Sequence, residues 1–244
     1  MEAQPIPDDI LRAVYASDQA MYPVSLSYTR LRAWVDACPD LSICFISRDQ
    51  RGPAAALGVV IVLPLRRPHW EDLLAGRLKE MAIDPGQMFP ALPAFNKTGC
   101  GGGVGQKEEE VGEVEEVGLH VYHIERFDSG VMSVEEQGGE RRKRFTEVAL
   151  EEVEKRVRLR SGWRAVALTA TPAGKRAFER LGFTPTGYRE VFAVNTATEA
   201  TSAREDGPQV EIICLYPGDE AEPAQAAGGR VISSRSEMVV RFSR

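Results

Sequence analysis

The sequence predicts an α/β fold, a β-sheet with helices on its faces, and three observations lead there. Residues 117–127, VGLHVYHIERF, are rich in β-branched and aromatic side chains and read as a central strand. Residues 141–159, RRKRFTEVALEEVEKRVRL, place Phe145, Val148, Ala149, Val153 and Val157 on one apolar stripe, with Glu/Arg/Lys pairs four apart covering the rest. That is the pattern of an amphipathic helix. The third observation is the order of elements: two helices, a hairpin, a helix, then strand–helix–strand–helix–strand and closing strands.

From the N-terminus, Asp8 or Asp9 opens a helix over 7–20 with Ile10, Leu11, Val14 and Ala20 as a sparse stripe, which Pro23 interrupts. Ser25 or Ser27 caps a second helix carrying Leu31, Trp34 and Val35, which ends before Pro39. LSICFIS (41–47) and AAALGVVIVLPL (54–65) make a hairpin around the turn residues 49–53, and the second is apolar enough to be buried on both faces. HWEDLLAGRLKEM (69–81) spaces Trp70, Leu73, Leu74, Leu78 and Met81 as a helix, stopped by Asp84-Pro85-Gly86. Beyond the long helix come a strand at Arg164–Thr169, a helix from Pro172 to a C-cap at Gly182, and a strand at Tyr188–Val194. Val210–Leu215 and Met238–Phe242 alternate as closing strands. The stretches 96–116, 128–140 and 195–208 are polar, Gly-rich or acidic and read as flexible insertions in one domain spanning 1–244.

Composition removes several classes of function. The net charge of −6 lacks the basic footprint that nucleic acid requires. No apolar run reaches the roughly 18 residues of a membrane span, and MEAQPIPDD has no apolar signal core, so a cytoplasmic or nuclear protein is expected. Four scattered cysteines without a CxxC pair read as reduced thiols. GCGGGVGQK is no phosphate loop, because no strand leads in, no helix follows and the Gly-Lys-Ser/Thr ending is missing.

The ionisable groups gather in the central strand. On a regular strand His120, Tyr122, Ile124 and Arg126 share one face, while Leu119, Val121, His123, Glu125 and Phe127 share the other. Such a cluster places the candidate site in the strand's C-terminal half. Two histidines on opposite faces cannot share a zinc ion, so no metal is expected.

The segment AGKRAFERLGFTPTGYREVFAV resembles the end of the GCN5-related N-acetyltransferases, whose last helix usually reads A-x-x-x-(Y/F)-x-x-x-G-F; the match runs from Ala173 or Ala177 through Phe178 to Gly182-Phe183. GLHVYHIERF followed by RRKRFTEVALEEV resembles that family's central strand and pyrophosphate-binding helix, most like a divergent fungal-type branch. The resemblance implies a mixed, mainly antiparallel central sheet flanked by helices. It implies acetyl-CoA as co-substrate and direct transfer to a primary amine of a small molecule or protein, by a monomer or homodimer. The acidic insertions favour a cationic acceptor. The cofactor would run along the open edge of the central strand at Ile124 and Arg126. Its phosphates would meet the helix start at Arg141, Arg142, Arg144, Phe145 and Thr146, and its distal arm Thr171 and Phe178.

Departures from the family pattern are specific. The signature Q/R-x-x-G-x-G/A falls on Arg141-x-x-Arg144-x-Thr146, so both glycines are absent. The usual tyrosine acid falls on Phe178, and the usual asparagine before that helix on Thr171. His123 and Glu125 are the leading candidates for the base, with His120 as a third, and Tyr188 is the candidate to replace the acid. A strand histidine can equally be a core residue. A second reading, in which the fold survives as an inactive binding or regulatory module, is open at this point.

Overall fold

The computed structural model describes residues 1–21, 26–47, 55–91, 114–127, 143–160, 162–171, 175–194, 210–215, 230–234 and 238–243. The expected insertions at 128–140 and 195–208 lie outside these residues, as does 96–113 of the first.

The elements in order are β1 (Glu2–Pro5), α1 (Asp8–Met21), α2 (Tyr28–Ala37), β2 (Ser42–Ile46), β3 (Ala56–Arg66), α3 (Arg67–Leu74), α4 (Pro85–Met88), β4 (Glu115–Arg126), α5 (Phe145–Arg158), β5 (Trp163–Ala170), α6 (Lys175–Glu179), β6 (Thr184–Pro185), β7 (Arg189–Val194), β8 (Val210–Leu215), β9 (Arg230–Ser234) and β10 (Val239–Phe242). Seven strands form one sheet in the order β1-β2-β3-β4-β5-β10-β6. Every pair is antiparallel except β4 and β5, whose parallel pairing is bridged by α5. The architecture is therefore α/β with a mixed, mainly antiparallel sheet flanked by helices. Among the described residues no helix is long and apolar enough to cross a membrane.

Local chemistry accounts for most boundaries. Ser27 caps α2, its Oγ accepting from the Arg30 N–H at 3.2 Å. The β3 core, Val59 to Leu63, is fully buried, as its unbroken apolar run implies. The expected helix over 69–81 is shorter: α3 ends at Leu74, Gly76 takes φ +72°, and Glu80–Ala82 form a separate 3₁₀ turn. A glycine is needed at 76 because the Tyr188 ring lies where a Cβ would stand. The helix expected up to Gly182 ends earlier, at Glu179, while its expected start at 172–174 lies outside the described residues. β1 and β9 carry too little apolar alternation to be read from sequence. Glu115 and Glu116, expected in the first insertion, belong to β4.

The closing strands, whose placement the sequence left open, divide between two sheets. β10 enters the main sheet between β5 and β6, while β8-β7-β9 form a second, three-stranded sheet. Two backbone hydrogen bonds lie between the pairings of the two sheets. Thr186 N–H donates to Met238 O and Met238 N–H to Tyr188 O, both at 2.9 Å, between the β6–β10 and β7–β9 pairings.

Trp163, the first residue of β5, fixes the two sides of the 92–113 stretch. Its Nε1 donates to Ala91 O at 3.2 Å, and its backbone pairs with Glu115. Cys38, following α2, is buried, and desolvation pushes its thiol up to about 11. Thiolate is the reactive form, so iodoacetamide at neutral pH is expected to leave Cys38 unmodified in the folded protein and to alkylate it in denaturant, read by peptide mass spectrometry. The raised folded value also means that the stability this burial contributes is present below pH 9.0 and is lost as pH climbs to about 11.

Candidate functional site

The site is built around an irregularity in β4. Ile61 faces His123 across the β3–β4 ladder, yet the next residue, Val62, faces Val121. Tyr122 is thus one extra residue on β4, a β-bulge that shifts the alternation of side chains by one. Beyond it His123 and Glu125 pair with Ile61 and Val59, while before it His120 and Gly118 pair with Leu63 and Leu65. Those four β3 residues alternate regularly, so His120, His123 and Glu125 all lie on one face. The expectation that the two histidines point to opposite sides is corrected, and its cause is the bulge. The zinc argument from opposite faces falls with it; among the described residues, however, no group of three or more His, Cys, Asp or Glu could hold a metal ion.

The same bulge coincides with a fork. β4 pairs with β5 from Glu115–Trp163 to Val121–Ala170 and no further. Among the described residues, 122–126 have no strand partner on that edge. Thr171 follows immediately after β5, at the fork.

On the α1 side of β4 lies a compact polar cluster. His123 Nε2 is 3.1 Å from Glu125 Oε2, and His123 Nδ1 is 3.9 Å from Asp18 Oδ1 on α1. Tyr122 Oη donates to Asp18 Oδ2 at 2.8 Å, and Ser17 Oγ sits 3.5 Å from Glu125 Oε1. The His123 side chain is 6% exposed and that of Glu125 is 32% exposed, so the carboxylate is the member open to an incoming molecule.

The other face carries different chemistry. A cleft of about 710 Å³ is lined by Leu57, Ile124, Arg126, Arg144, Phe145 and Thr146 among others, which brings five of the residues expected to meet the cofactor to one place. Arg141 and Arg142 lie outside the described residues. The N-terminus of α5 opens onto this cleft, and Glu147 Oε2 accepts from the Arg144 N–H at 2.8 Å, occupying one of its free donors. Gly58 is required here. A Cβ at that position would stand 2.4 Å from Glu125 O and 2.5 Å from the Phe145 ring, so β3 and the first residue of α5 touch through it.

The remaining expected residues have structural surroundings. His120 is fully buried: Nε2 is 2.8 Å from Glu80 Oε1, and Nδ1 is 3.1 Å from Thr169 Oγ1. Thr169 Oγ1 also receives Trp70 Nε1 at 3.3 Å and reaches Leu119 O at 3.4 Å. An indole N–H only donates and a carbonyl only accepts, so the threonine proton points to Leu119 O and its lone pairs accept from Trp70 and His120. That assigns a proton to His120 Nδ1 and leaves one further proton shared between Nε2 and Glu80. Phe178 is buried edge-on against Phe183, with ring centroids 5.1 Å apart, and Tyr188 is buried against Gly76. Asp18, Glu80 and Tyr122 were not among the expected site residues. Asp18 had a signal: it follows Leu11 and Val14 at positions 11, 14 and 18, a carboxylate on the buried stripe of α1.

No family model matches the chain, and no curated protein matches it. Among solved structures, it is similar to Arabidopsis thaliana NAA60 in complex with acetyl-CoA, at 11% identity and TM-score 0.45, over 99% of this chain and 97% of that one. It is similar to Arabidopsis thaliana Naa50 in complex with the bisubstrate analogue CoA-Ac-MVNAL, at 8% identity and TM-score 0.37, over 87% of this chain and 96% of that one. Arylalkylamine N-acetyltransferase 2 from Aedes aegypti gives 12% identity and TM-score 0.37, over 99% and 98%. At this level of likeness neither residues nor activities transfer to this chain.

Proposed function

We propose that the chain is an acetyl-CoA-dependent N-acetyltransferase of the GCN5-related class, transferring the acetyl group directly to a primary amine. The observation that carries this reading is the fork where β4 leaves β5 at the Tyr122 bulge. Among the described residues, no strand pairs with β4 beyond Val121 on that edge, which suits hydrogen bonding to an extended amide-bearing arm. The fork also lies between two chemically distinct faces, the cleft with Arg126 and Arg144 on the α5 side and the His123–Glu125 cluster on the α1 side. A phosphate-bearing donor on one side and an amine on the other would meet at the gap, which lowers the entropic cost of the bimolecular step.

In this reading the cleft holds the phosphates through Arg126 and Arg144, as charge-assisted hydrogen bonds. Arg144 and Thr146 stand where close backbone approach would want glycine, so their side chains rather than a bare amide loop would do the holding. Glu125, the exposed member of its pair, takes the amine proton, and His123 supports it from behind. Two carboxylates, Asp18 and Glu125, face this side, which favours an acceptor that arrives as a cation. Phe178 carries no proton, so the thiolate leaves without an acid from that helix.

Calorimetric titration with acetyl-CoA tests the cofactor half directly. Micromolar binding is expected, weakened by roughly tenfold or more for each of Arg126→Ala and Arg144→Ala, since a hydrogen bond to a charged group contributes about 1.5–3 kcal/mol. Absence of binding at millimolar cofactor would overturn the enzyme reading. Binding without acetylation of any amine in a broad panel would favour the inactive module, for which Phe178 in an apolar contact and Glu147 at the helix start are the supporting observations.

A further inference from the structure

We propose that His123 is a positioning residue and not a proton acceptor: its Nε2–H holds Glu125 Oε2, which leaves Oε1 as the oxygen that takes the amine proton. The inference rests on the acetyltransferase reading above and names the accepting atom within it. Nε2 lies 3.1 Å from Glu125 Oε2, a hydrogen-bond distance. A carboxylate that is to act as a base starts ionised and offers only lone pairs, so the proton between the two belongs to Nε2. That holds for the neutral ring and for the imidazolium alike. The second ring nitrogen gives no other route. Nδ1 faces Asp18 Oδ1 on α1 at 3.9 Å, and the two side chains are nearly enclosed, 6% and 5% exposed. An amine arriving at the open side of Glu125 therefore meets neither ring nitrogen. The groups facing His123 are Asp18 from α1 and Tyr122 and Glu125 from β4.

The two oxygens of Glu125 differ in what they already hold. Oε2 accepts from the imidazole. Oε1 has Ser17 Oγ of α1 at 3.5 Å, beyond the roughly 2.5–3.0 Å of a full O–H···O bond, so its lone pairs are open to a closer donor. An arriving ammonium gives one proton to Oε1, which passes it to water. The freed amine nitrogen bonds to the acetyl carbon, and the C–S bond breaks with its electron pair on the coenzyme A sulfur. The second proton that the nitrogen sheds ends on that sulfur. His123 keeps its own proton throughout, and its part is to fix the direction in which Oε1 points.

Two measurements on the full chain test this. The first is the ¹⁵N-resolved imidazole spectrum, with His123→Gln for assignment. The His123 ring should carry a proton on Nε2. That proton should exchange with water roughly tenfold or more faster in Glu125→Ala, which removes the acceptor of a charge-assisted bond. A proton on Nδ1 alone, or exchange that ignores Glu125→Ala, overturns the proposal. The second is turnover with spermidine, glucosamine and a lysine peptide as acceptors. His123→Leu, which has no donor, should lower kcat roughly tenfold or more. His123→Gln, whose amide N–H can still reach Oε2, should lose clearly less, with acetyl-CoA affinity the same in both. Equal losses would make the imidazole a base and overturn the proposal, and so would no loss in either variant. If His123→Leu fails to fold, the exchange measurement decides. Should the wild-type protein acetylate none of these amines or of the broader panel while Nε2–H responds to Glu125→Ala, the enzyme reading fails and the holding of Glu125 by His123 stands.

Discussion

Glu125→Gln is expected to lower acetyl transfer by roughly 10²- to 10⁴-fold, the range over which a positioned general base acts. The substitution preserves shape and leaves an amide oxygen for the His123 contact, so the loss isolates the proton-accepting role. Acetyl-CoA affinity should not change, because Glu125 points to the α1 face while the cleft with Arg126 and Arg144 lies on the other. The readout is kcat with an amine acceptor, beside calorimetric binding of the cofactor. A drop in affinity with unaltered turnover would place Glu125 on the cofactor side. Turnover within a factor of about 3 of the wild type would remove it from the chemistry, on the same base-catalysis range. His123→Gln is expected to cost less than Glu125→Gln, since His123 is buried behind it.

The second large effect is on stability. Gly118 lies under the Trp70 indole, and a Cβ there would stand 1.9 Å from its Cγ and 2.2 Å from its Cδ1. Gly118→Ala therefore cannot be absorbed by a small side-chain adjustment; the indole has to leave. Overpacking of this kind costs about 1–3 kcal/mol, and the Trp70 Nε1 bond to Thr169 Oγ1 adds about 1 kcal/mol when lost. The opposing effect, a less disordered unfolded chain with alanine, is worth only about 0.4–1 kcal/mol. The clash wins, and a net loss of about 2–3 kcal/mol is expected. For a chain of this size that corresponds to a fall in Tm of roughly 5–10 °C, measurable by calorimetry. A Tm within about 1 °C of the wild type would show that Trp70 does not rest on β4 as described.

Much of the fold was legible because its signals are local. The apolar stripe of α5, the unbroken run of β3, the Ser27 cap and the break before Pro39 follow from side chains within a few residues of each other. The site was legible in its residues and not in its geometry. His120, His123 and Glu125 are conspicuous in sequence, but their common face depends on a bulge whose extra residue, Tyr122, is an ordinary strand former. The bulge fits contacts made far away in sequence, with Asp18 and with Trp34, whose ring meets that of Tyr122 edge-on at 5.0 Å. Glu80 escaped for the same reason, because its place opposite His120 exists only once the chain has turned at Gly76. β1 escaped because an edge strand beside β2 needs backbone partners more than apolar side chains.

The anchoring of Ala91 and Glu115 on a single residue, Trp163, has a consequence for how this protein can change. Because Ala91 meets the Trp163 indole and Glu115 pairs with the backbone of the same residue, the two ends are held together whatever joins them. Each doubling of a connecting segment adds only about 0.6 kcal/mol of closure cost. Residues 92–113, 22 in number, are therefore a splice point in the architecture: shortening, lengthening or exchanging them for a foreign peptide is expected to leave the sheet register intact.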